Sequence, residues 1–109
     1  MHELAIAQGV IDQVTERLPG DRVARVCLEI GSLSGVVADS LLFCFDLAAE
    51  GTNLAGASLE ISEAAARCHC QECGREFTPD GLLPLCPCGS ADVRVLSGED
   101  LRITSVQVA

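Results

Sequence analysis

The sequence predicts an α+β fold: two helices packed on a small mixed sheet, with a four-cysteine, zinc-ribbon-like module inserted into it. Three observations carry this expectation. Apolar residues recur at three- and four-residue steps in two segments. They alternate with polar residues in three others, and five of the seven cysteines fall between Cys68 and Cys88. The first spacing is the period of a helix and the second that of a strand. Clustered thiols in a chain of 109 residues mark a metal-stapled unit.

From Glu3 to Leu18, the residues Leu4, Ala7, Ile11, Val14 and Leu18 form an apolar stripe widened by Val10, and Pro19-Gly20-Asp21 closes the helix. In Arg22 to Ile30, the residues Ala24, Val26, Leu28 and Ile30 alternate with Arg25, Cys27 and Glu29, as in a half-buried strand. Gly31-Ser32-Leu33-Ser34-Gly35 breaks that pattern. A second helix is expected from a cap at Asp39 or Ser40 to about Glu50, burying Leu41, Leu42, Phe45, Ala48 and Ala49, with Gly51 as its stop. Ala57, Leu59 and Ile61 define a second strand running towards Arg67, and Val93 to Leu96 a short strand after the cysteines. The last run alternates at Leu101 and Ile103, then shifts phase to Val106 and Val108, as a bulge near Thr104 or Ser105 would allow. So apolar a strand belongs in the first sheet. The division that follows is a domain of residues 1–66 plus 99–109, with residues 67–98 inserted.

Cys70 and Cys73 form a C-x-x-C followed by Gly74, a turn in which backbone amides point at a thiolate. Twelve residues without Cys or His separate this turn from Cys86-Pro87-Cys88. Two facing turns of this kind build a tetrahedral four-thiolate site suited to zinc, with Cys70, Cys73, Cys86 and Cys88 as the ligands. The second pair is one residue shorter than a C-x-x-C, so Cys68 or His69 stands as a substitute ligand. Cys27 and Cys44 read as small packed thiols.

The formal charge of −9 argues against binding a nucleic-acid backbone, which needs clustered Lys and Arg. No leader pattern opens the chain, and no apolar run nears the roughly 20 residues of a membrane span. A cytoplasmic location with reduced thiols is therefore expected. With three Phe and no Tyr or Trp, the core is built from Leu, Val, Ile and Ala. No nucleophile–base set and no glycine-rich phosphate loop is present, so the chain is not expected to be an enzyme.

Met1-His2-Glu3 is the other group of candidates. A free α-amine, the His2 backbone nitrogen and its imidazole lie covalently close enough to chelate one divalent ion. Such nitrogen donors suit Ni(II) or Cu(II), and Glu3 adds a carboxylate beside them. These opening residues, the Gly31-Ser32-Leu33-Ser34-Gly35-Val36 turn, Leu42-Phe43-Cys44-Phe45-Asp46 and the Cys-Pro…Cys-Gly-Ser segment follow one another over the whole chain. In this order the sequence resembles the HypA/HybF family, the nickel metallochaperones of [NiFe]-hydrogenase maturation.

The resemblance implies a transferable Ni(II) site at Met1, His2 and Glu3, and a structural Zn(II) site at Cys70, Cys73, Cys86 and Cys88. It also implies a hydrogenase-maturation GTPase and the hydrogenase large-subunit precursor as partners, with Ni(II) as cargo. Family members often carry a full C-P-x-C where this chain has Cys86-Pro87-Cys88. Val37 stands where some carry an acidic residue that assists nickel, and Asp39 follows two positions later. The competing readings are a zinc-ribbon adaptor or nucleic-acid module without nickel, and a redox protein with iron at the four cysteines. Whether the chain forms a homo-oligomer is left open by the sequence.

Overall fold

The computed structural model describes residues 2–109. Its elements follow the order α1 (Glu3–Arg17), β1 (Val23–Gly31), α2 (Ala38–Ala49), β2 (Ser58–Ala64), β3 (Arg67–Cys70), β4 (Glu76–Phe77), β5 (Val93–Ser97) and β6 (Leu101–Val108). Two three-stranded sheets result, one in the order β2-β1-β6 and one in the order β4-β3-β5. The chain-terminal strand thus joins the first sheet beside β1. Its half-buried residues Leu101, Ile103 and Val106 keep the phase shift visible in the sequence. By compactness the chain divides into two units. One holds Met1–Leu28, Val36–Ser62 and Ile103–Ala109, the other Glu29–Gly35 and Glu63–Arg102.

In the first unit α1 and α2 pack against each other, and their inward residues build the core. α1 contributes Ala7, Val10, Ile11 and Val14, α2 contributes Leu41, Phe45 and Ala49, and β1 adds Val23, Val26 and Leu28. Leu54, fully buried after α2, completes it. Two expected helix faces are corrected. On α1 the buried stripe starts at Glu3, and Leu4 is exposed. Positions 3, 7, 10, 11 and 14 share one side of a 3.6-residue helix, and position 4 falls on its edge. On α2 the stripe is Leu41, Phe45 and Ala49, so Leu42 lies outside.

α2 begins at Ala38, and neither Asp39 nor Ser40 caps it. Val37 holds that place in extended conformation, without a side-chain cap bond. Gly51 adopts the left-handed conformation (φ 76°) that ends the helix as its sequence suggests. The end of α1 is completed from a distance. Asn53 donates its side-chain amide to the Leu18 carbonyl at 3.0 Å, satisfying an acceptor that a helix end leaves open.

β2 does not run on to Arg67. Ser32 takes the Ala64 carbonyl with its N–H at 2.9 Å, and its Oγ accepts the Ala66 N–H at 2.9 Å. These two bonds end one strand and start the chain towards the second sheet at β3. Gly98 lies against Ala66 with φ 102°, and a Cβ there would overlap the Ala66 main chain. Gly98→Ala therefore meets both left-handed strain and a clash with backbone. It should lower stability by about 3 kcal/mol or more, read as a fall in the urea midpoint at unchanged slope.

Candidate metal centre

The four cysteines are brought together by two turns and a hairpin. β3 pairs with β4 through Cys68–Phe77 and His69–Glu76, and with β5 through Cys68–Val95, His69–Arg94 and Cys70–Val93. That register puts Cys70 at the end of β3, where the chain must turn. The Cys70 N–H donates to the Arg75 carbonyl at 2.8 Å, and its own carbonyl accepts the Gly74 N–H at 3.0 Å. Gly74 supplies the positive φ (76°) this tight return needs. Cys73 is carried around the turn, and its backbone N–H points at Cys70 Sγ across 3.5 Å.

The shorter pair closes by a different turn. The Gly89 N–H donates to the Cys86 carbonyl at 2.8 Å, and the Cys86 N–H to the Ser90 carbonyl at 3.0 Å. Pro87 fixes the first corner of this four-residue turn, and Gly89 takes φ 95°. One residue fewer than a C-x-x-C is enough, because this turn lets both flanking thiols face the first pair.

All four Sγ atoms lie within 4.8 Å of one another. Cys70 Sγ is 3.7 Å from Cys88 Sγ, and Cys73 Sγ is 3.6 Å from Cys86 Sγ. A tetrahedral ion with metal–sulfur bonds of about 2.3 Å has sulfur–sulfur edges of about 3.8 Å, so the donor set fits such an ion in size as well as in chemistry. Beneath the thiols, Cys68, Cys70, Phe77 and Cys86 are buried, with Leu33, Val93 and Val95 packed against them. Cys70 and Cys86 are set into this apolar floor, while Cys73 and Cys88 close the group from the exposed side.

The thiols are not equivalent. The Cys73 amide, outweighing burial, holds the Cys70 thiol down to about 6. The Cys88 amide favours the Cys86 thiolate, but burial and the neighbouring thiols push it up to about 12. Four sulfur atoms this close cannot all carry charge without a cation among them. Cys68 belongs elsewhere. It is fully buried within β3, burial pushes its thiol up, and it is not part of the four-sulfur group. His69 is half-buried, opposite Glu76 and Arg94.

The amino-terminal candidates differ in character. Met1 lies outside the described residues. His2 is exposed and stands at the head of α1, where its carbonyl accepts the Ile6 N–H at 2.9 Å. Glu3 is buried, and its Oε2 accepts the Val37 N–H at 3.1 Å. The carboxylate that sequence offers as a nickel donor is the one that anchors the start of α2. Helix register signals that Glu3 faces inward, since it precedes Ala7 by four residues, but nothing in the sequence signals its bond to Val37. Val37 therefore meets this end of the chain through its amide rather than through a side chain. Asp39 is exposed in the first turn of α2. Among the described residues, the group of three or more Cys, His, Asp or Glu close enough to share an ion is the four-cysteine set. No helix among them is long and apolar enough to cross a membrane.

The chain is similar to known proteins along its length. Residues 1–108 match the family model described as hydrogenase/urease nickel incorporation, metallochaperone, hypA. The hydrogenase maturation factor HypA of a Nostoc species is 42% identical over 108 residues, covering 99% of this chain and 96% of that protein. That of Geobacter metallireducens is 44% identical over 109 residues, covering 99% of each. That of Streptomyces avermitilis reaches 48% over 113 residues, covering 97% of this chain and 86% of its own. The fold is that of the solution structure of the Ni metallochaperone HypA from Helicobacter pylori. The TM-score there is 0.68 at 22% identity, over 99% of this chain and 97% of that one. With a match from end to end and identities above 40% to full-length relatives, the chain belongs to the HypA/HybF family of nickel metallochaperones of [NiFe]-hydrogenase maturation, a family of metal carriers and not of enzymes.

Proposed function

We propose that this chain binds Ni(II) through Met1, His2 and Glu3 and delivers it for insertion into the large subunit of a [NiFe]-hydrogenase. In the same reading Zn(II) is held for structure by Cys70, Cys73, Cys86 and Cys88. Residues 67–98 then form the zinc module, inserted into a nickel-binding domain of residues 1–66 plus 99–109. The work is cytoplasmic, in company with a maturation GTPase and the large-subunit precursor. The observation that carries the proposal is family membership along residues 1–108, which includes the Met-His-Glu opening.

Physical chemistry supports separate duties for the two sites. Four thiolates close the shell around an ion and leave no position for an incoming ligand, so that metal stays. An amine and an exposed imidazole form an open set of exchangeable donors, with the Glu3 carboxylate beside them held by the Val37 N–H. The amine and imidazole bind only after losing their protons, so acidification competes with nickel, and affinity falls as pH drops. The exchange test uses protein loaded with both metals and a chromophoric chelator. Nickel should pass to the chelator within minutes, faster at lower pH, while zinc remains until the thiols are modified. Release of both metals at one rate contradicts the proposal.

A further inference from the structure

α2 carries a feature that neither metal site uses. Its core side is Leu41, Phe45 and Ala49, yet Phe43 and Leu47 are 66% and 50% exposed on the opposite side. They are four residues apart, so their side chains adjoin. Asp39, Asp46 and Glu50 are exposed, each three or four positions from one of the pair, and together they form an acidic ridge along it. α2 contains no Lys or Arg, and its last turn has no basic residue. Asp46 and Glu50 stand at the negative end of the helix dipole, where a cation is favoured and a carboxylate is not. Scattered exposed apolar residues need no explanation. An adjoining Phe–Leu pair beside carboxylates that have no ion pair among the described residues asks for a surface of matching shape and opposite sign.

We propose that this face of α2, Phe43 and Leu47 flanked by Asp39, Asp46 and Glu50, docks a basic amphipathic helix of a partner protein. The occupant has apolar residues at helical spacing to cover the Phe–Leu pair, and Lys or Arg beside them to meet the ridge. A second copy of this chain would set ridge against ridge at a net charge of −9 each. Anionic lipid and nucleic acid are repelled for the same reason. Phe43 lies six residues beyond Val37, about 9 Å along the helix, and Val37 is the residue bonded to Glu3. A docked partner therefore stands near the chain's first residues. Only that purpose rests on the nickel-delivery reading; the docking does not.

The probe is a synthetic helical peptide of about 18 residues with Leu along one face and Lys along the other, set against the same composition in scrambled order. The wild-type chain should bind the ordered peptide at least about tenfold more tightly than the scrambled one. Phe43→Ser/Leu47→Ser should remove that preference, and Asp39→Asn/Asp46→Asn/Glu50→Gln should flatten its salt dependence. Leu83→Ser, at a leucine 73% exposed in the other unit, and His2→Ala should bind as wild type. Failure of the nickel site thus leaves this result readable. Thermal melts establish that each variant is folded. Equal binding by the Phe43/Leu47 variant overturns the proposal. So does sedimentation showing a dimer that Phe43→Ser dissolves, or capture of the face by neutral lipid vesicles.

Discussion

His2→Ala should abolish nickel binding while one zinc per chain and the fold remain. The side chain is exposed and makes no capping bond to α1. The first helical bond, Ile6 N–H to the His2 carbonyl, belongs to the backbone and survives the substitution. Structure therefore loses almost nothing. Nickel loses a direct nitrogen donor, and affinity should fall by more than about 100-fold, the upper range for removing a mere outer-shell partner. Titration calorimetry reads the nickel, metal analysis the zinc, and a thermal melt the fold. Loss of both metals together would mean that the sites are not separable.

Cys73→Ala should release zinc and unfold the second unit. Cys73 is exposed, so its removal empties no core space and breaks no apolar packing. Whatever structure is lost must be lost through the metal. The burial beneath the site is slight: its core group includes one large apolar side chain, Phe77, among three cysteines. Burying such a ring contributes about 3 kcal/mol, against roughly 10–16 kcal/mol of binding free energy for a structural zinc at neutral pH. Hydrogen exchange should show protection lost at the amides of Cys70, Gly74 and Gly89 and kept in α1. Cys68→Ala is the control. It removes a buried thiol outside the four-sulfur group and should lower the melting temperature without releasing zinc.

Much of this was legible in the sequence because the cues were local. Helical and alternating periods located both helices and the longer strands, and the cysteine spacing announced a four-sulfur group. What failed to show depended on contacts far along the chain. Leu4 looked like the first core residue of α1 because hydrophobicity alone cannot count Glu3 as an inward residue. Glu3 turns inward where its carboxylate meets the Val37 amide, 34 positions away. The helix that follows Val37 starts at Ala38, so Asp39 falls inside its first turn instead of at its cap. β4 is two residues long, too short for any period, and it exists because Phe77 pairs with Cys68. The break between β2 and β3 is set by Ser32 and Gly98, neither of which is near it in sequence.

The resemblance to a family supplied what period and spacing could not, the expectation that the chain's first residues bind nickel. That expectation can be tested without touching any side chain. A form acetylated at its α-amine keeps His2, Glu3 and every cysteine, but takes the amine nitrogen out of the donor set. Equilibrium dialysis of this form against Ni(II), beside the unacetylated chain, should show full zinc and a nickel affinity reduced by more than about 100-fold. Equal nickel binding by the two forms would contradict an amino-terminal site.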